Sequence, residues 1–455
     1  MNRPALATAL EQVAPGLVAG RITGSNGTLF RAAIPGVALG DMAVVVNRYG
    51  REFIAETVAL HGTEVLLSTF QEAEGVIVGG RVTSRGCARE FSIGENVLGS
   101  ILGADGEILR NAVQPRARRR FPSTWVGVSE RAPCPLLRAT APRPLRTQLR
   151  VFDAFTPVGI GQRLGIFAEP GVGKSSLLAA LARHASADIK VIALIGERGR
   201  EIAEAAEQFL AVDCPADTVI VACSSAEPAV ARIAALQTAT RIAEYFRDQQ
   251  CDVLLLVDSL TRAFRAYREL GLAAGELPVR QGYPPSVFAK LPPLIERAGA
   301  TMNGSITAIY TILQSSDFDQ DPLIDEVRGL LDGHVVLSRK LAEKGHYPAV
   351  DVLRSLSRFA PRLLTEEETT AARLLRRYVS DRQDDEEFSR LGGKPSIASS
   401  HLQELDARLD EFLQQELNLP TPWEVTRARL LELGRMALAT VGETASDAER
   451  TNDAA

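Results

Sequence analysis

No stretch of this chain is apolar over the roughly 18 to 20 residues that a membrane-spanning helix needs. The opening MNRPALATALEQVAPG also lacks the continuous apolar core of a secretory signal. The five cysteines (Cys87, Cys134, Cys214, Cys223 and Cys251) form no C-x-x-C pair, and the five histidines fall at no metal-ligand spacing. A disulfide scaffold and a zinc site are thereby excluded, and a reduced, cytoplasmic setting is expected. Excess positive charge is missing too: the net charge is -5 and the pI about 5.8, which argues against a surface built to neutralise a nucleic-acid backbone. What the chain does have is 455 residues, 45% of them hydrophobic, enough for two or three domains with cores of their own.

The pattern along the chain changes twice. Residues 16 to 90 carry short alternating apolar runs (LVAGRIT, MAVVV, EFIAETVAL, TEVLLSTF) separated by turn signals such as SNG, PG and HG, the signature of a small β-barrel. We take 1–90 as the N-terminal segment and barrel, and 91–148 as a connector, since APCPLLRATAPRPLRTQL is dense in proline and arginine. From 149 to 365 apolar strand candidates (RLGIFA, KVIALI, TVIVAC, DVLLLVD, SITAIYTIL, HVVLS) alternate with helical stretches. That alternation predicts a mostly parallel sheet covered by helices on both faces. Residues 366–438 show only helical spacing, and 439–455 hold too few apolar residues to fold, which predicts a disordered tail.

The chemistry is concentrated where strands of the middle region end. RLGIFA runs into AEPGVGKSS and then a helix, the strand, loop and helix order of a phosphate-binding loop, although Ala168 stands where the usual pattern has glycine. Gly171 and Gly173 permit backbone angles that aim successive amides at an anion, with Val172 between them, and Ser175 and Ser176 open the helix at its positive dipole end. Lys174 is placed to reach the β- and γ-phosphates and Ser175 to ligate magnesium. DVLLLVD ends on Asp258, an acid suited to holding magnesium through water, and KVIALI ends on the cluster GERGRE. There Glu197 is the candidate for orienting the attacking water, and Glu201 joins Ser175 and Asp258 as an expected magnesium-side oxygen. Taken alone, GERGRE is also what an ordinary solvated charged face looks like.

Six ordered blocks (GQRLGIFAEPGVGKSSLL, IGERGREIAE, DSLTR, GYPPSVFAKLPPLIERAG, DEVRGLLDGHVVLSR and HYPAVDVLRSLSR) together resemble the ATPases of type III protein secretion and flagellar export, relatives of the catalytic β-subunit of rotary ATP synthases. The resemblance covers roughly 150 to 360, and Ala168 is a variant this export family shows. It implies an α/β fold: a RecA-like phosphate-loop NTPase core with a small N-terminal β-barrel and a helical C-terminal domain, assembled as a homohexamer with ATP and Mg2+ at the subunit interfaces. It further implies that Arg198 and Arg262 stand near the site, that Tyr347 stacks on adenine, and that Arg358 is an arginine finger given to the adjoining subunit. Stator and central-stalk proteins, secreted proteins with their chaperones, and a peripheral place at the cytoplasmic face of the inner membrane follow from the same resemblance, with no nucleic-acid partner. RPALATALEQVA is read as a short amphipathic stator-docking helix or a frayed terminus, and the ARRR of 117 to 120 as a solvated face or a contact for acidic lipid headgroups.

Other classes fit less well. An RNA-translocating hexamer needs an aromatic platform in its barrel, and residues 16 to 90 offer only Phe30, Tyr49, Phe53 and Phe70, unclustered. A non-hydrolysing structural subunit has no need of Glu197. Among the relatives, the motifs lean to the secretion injectisome; a flagellar export ATPase and a rotary synthase-type subunit are the alternatives.

Overall fold

The computed structural model describes residues 18–111, 121–128, 131–139, 143–209, 217–314, 321–390 and 400–452. The N-terminal helix expected over residues 3 to 14 and the ARRR run lie outside them.

Six strands, β1 (Ala19–Asn26), β2 (Leu29–Ala33), β3 (Asp41–Val46), β4 (Glu52–His61), β5 (Glu64–Thr69) and β6 (Arg81–Ala88), close into a barrel in the order β1-β2-β5-β4-β3-β6. Alternation in the sequence turns Ile22, Ala32, Val45, Val65, Leu67 and Val82 inward, and closure leaves no unpaired edge. Just past β6, the buried Arg89 ties the barrel to the next domain through Ala104 O (2.7 Å), Gln237 Oε1 (2.6 Å) and Thr238 Oγ1 (3.0 Å).

The second domain is built on one large sheet. Its main strands are β7 (Ser100–Leu102), β8 (Ile108–Asn111), β9 (Arg163–Ala168), β10 (Ile189–Glu197), β11 (Thr218–Ser224), β12 (Asp252–Asp258), β13 (Ser305–Leu313), β14 (Gly333–Leu337) and β15 (Val350–Ser357), beside the two-residue Gly299–Ala300 that pairs with the start of β13. The order across the sheet is β15-β14-β9-β13-β12-β10-β11-β7-β8, parallel from β14 to β7 and antiparallel at β15 and β8. Period-two alternation buries both faces. On β10 and β12, Val191, Ala193, Ile195, Val253, Leu255 and Val257 face one helical layer, which includes Ala229–Asp248 and Leu260–Ala273. Ile192, Leu194, Leu254 and Leu256 face the other, which contains helix α1 (Lys174–His184).

Two expectations change. The segment taken as a connector supplies two sheet strands: Ile101 pairs with Ile220 and Leu102 with Val221. Ser-Ile-Leu is too short an apolar run to announce a strand; its pairing with a buried neighbour makes it one. The last helix runs from Trp423 to Asn452, through most of the stretch expected to be disordered. Alanine, glutamate and arginine propagate a helix already nucleated by the packed residues Leu430, Leu433 and Ala437.

The C-terminal helices Glu366–Arg390 and Ser400–Leu413 bring Ala371, Leu375, Leu405, Leu409 and Phe412 into the same core as Phe152, Phe155 and the inner face of α1. Among the described residues no helix is long and apolar enough to cross a membrane.

Candidate nucleotide site

All the chemistry-bearing strands of the parallel sheet end on the same edge, and there the chain makes its sharpest turns. The loop after β9 enters α1 through Gly171 (φ +84°) and Gly173 (φ +88°, ψ +18°), left-handed backbone that favours glycine. Ala168 needs no such freedom. It is still strand, paired with Leu313, and its carbonyl accepts from Gln314 N at 3.0 Å, so the missing glycine costs the loop nothing. Val172 is buried and anchors the loop, while Ser175 and Ser176 face outward at the helix N-terminus.

Lys174, Glu197 and Asp258 converge. The Lys174 ammonium pairs with Asp258 Oδ1 and lies 3.7 Å from Glu197 Oε1. Asp258 Oδ1 also accepts from the Thr311 hydroxyl at 2.9 Å, whereas its Oδ2 has no protein donor among the described residues. Glu197 Oε2 accepts from Arg262 at 2.8 Å, and a second Arg262 nitrogen bonds Gly196 O. Gly196 is itself required: its φ is +67°, and a Cβ there would come within 3.1 Å of the Arg262 side chain. Arg262 is set by its place in the first turn of Leu260–Ala273, where its amide donates to the Ser259 hydroxyl at 3.4 Å.

Glu197 Oε1 is buried and receives no hydrogen bond. Burial, then the neighbouring Glu201 carboxyl and the Asp258 charge, push its carboxyl up to about 7 against the pull of Lys174 and Arg262. Glu201, half exposed in the first turn of Gly199–Phe209, is held below its usual value chiefly by the neighbouring Glu197 side chain. A cleft at this edge is lined by Ser175, Leu178, Leu194, Glu197, Glu201 and Asp258.

Tyr347 belongs to the same edge. A Cβ on Gly173 would sit 3.2 Å from its ring, so the ring lies over the loop; 42% of the residue is exposed, which leaves aromatic surface for a base. Its carbonyl accepts from Gln415 N at 3.0 Å, a tie to the helical domain that no motif announced.

Two expected residues are not gathered in. Arg198 is 82% exposed and its nearest acid is Glu201 at 3.9 Å. Arg358 stands at the opposite edge. β15 runs antiparallel to β14, pairing Val350 with Leu337 near the loop edge and Ser357 with Gly333 at the far one. The five residues of β14 separate those edges by roughly 13 Å. The backbone amide of Arg358 bonds Asp332 O at 3.0 Å, and its side chain is exposed. Sequence reasoning missed Thr311 and Gln415, since one threonine in an apolar strand and one glutamine in a helical region carry no spacing signal.

Residues 148–357 match the nucleotide-binding domain of the ATP synthase alpha/beta family. The chain is 42% identical over 411 residues to the flagellum-specific ATP synthase of Treponema pallidum (strain Nichols), covering 90% of this chain and 91% of that one. It is 40% identical over 432 residues to the type 3 secretion system ATPase of Xanthomonas euvesicatoria, covering 93% and 96%. It also resembles the assembled ATPase EscN of the enteropathogenic E. coli type III secretion system, with a TM-score of 0.83 and 38% identity over 91% of this chain and 100% of that one. EscN in complex with its central stalk EscO matches with a TM-score of 0.80, 37% identity and the same coverage.

Proposed function

The chain belongs to the protein-export ATPases of type III secretion and flagella, within the ATP synthase alpha/beta family, and we propose that its catalytic unit is shared between two copies of the chain. It is an ATPase, and its hydrolysis of ATP energises protein export. The observation that carries the shared site is the placement of Arg358, a sheet's width from its own phosphate loop and exposed to a neighbour.

In this reading the triphosphate lies on the amides of Gly171 to Ser176, and Lys174 exchanges its two carboxylate partners for phosphate oxygens. Tyr347 stacks on the base. Glu197 Oε1, with free lone pairs in a buried position, accepts a hydrogen bond from the water that attacks the γ-phosphorus, while Arg262 steadies the other oxygen. Glu201 lines the same cleft as Glu197, and Arg198 waits at the rim beside it. Arg358 of the adjoining copy meets the charge that builds on the transferring phosphoryl group.

Magnesium fits the donors present. Ser175 Oγ and Asp258 Oδ2 are hard oxygen atoms, with Glu201 nearby, and no cluster of three or more His, Cys, Asp or Glu exists among the described residues. A cation that keeps most of its waters needs no more. When bound, it supplies positive charge to the β- and γ-phosphate oxygens.

A homohexamer, contact with a central stalk and a stator, release of secreted proteins from their chaperones, and a peripheral station at the cytoplasmic face of the inner membrane complete the proposal. The assembled EscN supports the homohexamer, and its complex with EscO supports the contact with a central stalk. We assign the chain to a secretion injectisome, supported by the likeness to EscN; the 42% identity to a flagellar relative favours flagellar export as the second reading.

The test is magnesium-dependent ATP hydrolysis against protein concentration, for wild type and Glu197→Ala, with oligomer size followed in parallel. Specific activity should climb as oligomers form and vanish in the variant. Activity independent of assembly would remove Arg358 from the site, and inactivity in assembled hexamers would make the chain a structural subunit.

A further inference from the structure

We infer that Thr311 is a positioning residue that aims the Asp258 carboxylate for magnesium-nucleotide binding, a role that rests on the nucleotide site proposed above. Thr311 lies on β13 immediately beyond the pairing of Tyr310 with Val257, which sets its side chain beside Asp258 across the parallel pair. It is fully buried. Its hydroxyl lies 2.9 Å from Asp258 Oδ1 and 3.2 Å from Val257 O, and a single hydroxyl hydrogen serves one acceptor at a time. The shorter contact is to the charged oxygen, where a hydrogen bond is the stronger.

The consequence depends on which oxygen is held. Lys174 and Thr311 both bind Oδ1, which leaves Oδ2 as the uncommitted oxygen of a carboxylate that lines the same cleft as Ser175. Once Lys174 turns to phosphate, Thr311 is the only protein donor among the described residues left on the carboxylate. The threonine therefore matters most in the nucleotide-bound state, when the acid has lost its lysine. Branching at Cβ restricts the hydroxyl's rotamer, and the neighbouring strand bond from Leu313 N to Thr261 Oγ1 (3.0 Å) fixes the end of β13 against the helix that follows Asp258. Residues that orient a metal-side ligand typically change metal affinity by about 10- to 100-fold when removed.

The experiment uses the full chain and three variants, Thr311→Val, Thr311→Ala and Thr311→Ser, with thermal unfolding as a check on folding. Binding of a fluorescent ATP analogue is titrated with and without Mg2+, and ATP hydrolysis is measured against free Mg2+. In the valine and alanine variants the Mg2+ concentration giving half-maximal nucleotide binding and turnover should rise about tenfold or more. Magnesium-free nucleotide binding should be unchanged, turnover at saturating Mg2+ should fall less than the affinity, and serine should restore the wild-type response. Unaltered Mg2+ dependence in a folded valine or alanine variant overturns the role of Thr311 while leaving the nucleotide site intact. Loss of magnesium-free binding in step with the rest, or a serine variant no better than valine, overturns it in favour of a packing role. A wild-type protein whose nucleotide binding ignores Mg2+ overturns the underlying site assignment and this inference with it.

Discussion

The two edges of the parallel sheet both bury charge, but only one leaves it incomplete. At the edge where the parallel strands begin, Arg297 meets both oxygens of the fully buried Glu244 at 2.7 Å. Arg163 holds both oxygens of Asp332, and Arg163 and Arg138 divide those of Glu296. Every one of those six carboxylate oxygens has a donor. At the edge where the strands end, Glu197 Oε1 has none and Asp258 Oδ2 has none, although a lysine lies within reach of both acids. A network that satisfies itself holds a fold together; a network missing donors is waiting for a ligand to supply them.

The largest test of that contrast crosses from one edge to the other. Arg358 sits at the far edge but is exposed and carries no side-chain partner among the described residues, and the proposed shared site assigns it to the incomplete edge of a neighbouring copy. Arg358→Ala should lower kcat by about 10^3 or more, within the range measured for arginine fingers, while nucleotide still binds. Mixing it with a Glu197→Gln chain should restore activity at those interfaces that pair an intact loop with an intact finger. Turnover close to wild type in the single variant would end the trans assignment.

Next comes Glu197→Gln, which keeps the shape and removes the basic oxygen. A fall of about 10^2- to 10^4-fold in single-turnover hydrolysis, with nucleotide affinity within a few-fold of wild type, is the expected outcome. A parallel loss of binding would instead make Glu197 part of the scaffold.

At the satisfied edge the effect should be on stability alone. Arg297→Ala strands a buried carboxylate and should cost about 3 to 5 kcal/mol in denaturant unfolding, with turnover per folded molecule unchanged. A catalytic defect in the folded variant would break the division between the two edges.

The smallest effect is on pH dependence. Glu197 works as an acceptor only when ionised, and its carboxyl is raised to about 7, so kcat/KM should increase with pH through that value, roughly tenfold per unit on the acid side. Residual hydrolysis by Glu197→Gln should lack this limb.

The line between what was legible and what was not follows the same geometry. RLGIFA, KVIALI and DVLLLVD are strands because each is an apolar run of a length that only a sheet buried on both faces accommodates, and Glu197 and Asp258 are each the last residue of their strand. The loop was legible because glycine at 171 and 173 meets a backbone demand that few other residues satisfy. Ser100–Leu102 was invisible, since three residues carry no periodicity and the partner strand lies more than a hundred positions away. Arg198 shows the opposite limit: its neighbours in sequence are site residues, yet a helix start turned it into solvent.

The sequence by itself determined the local parts: alternating barrel strands, two-faced buried strands, a phosphate loop and its flanking acids, because these are written in spacings of a few residues. Only the tertiary structure decided which oxygen of Asp258 is held, which oxygen of Glu197 is left without a donor, and that Arg358 stands at the opposite edge from its own loop. Those outcomes depend on strands meeting across a sheet, with Thr311 beside Asp258 and Ser357 beside Gly333, and pairing between distant segments leaves no mark in the spacing of either one.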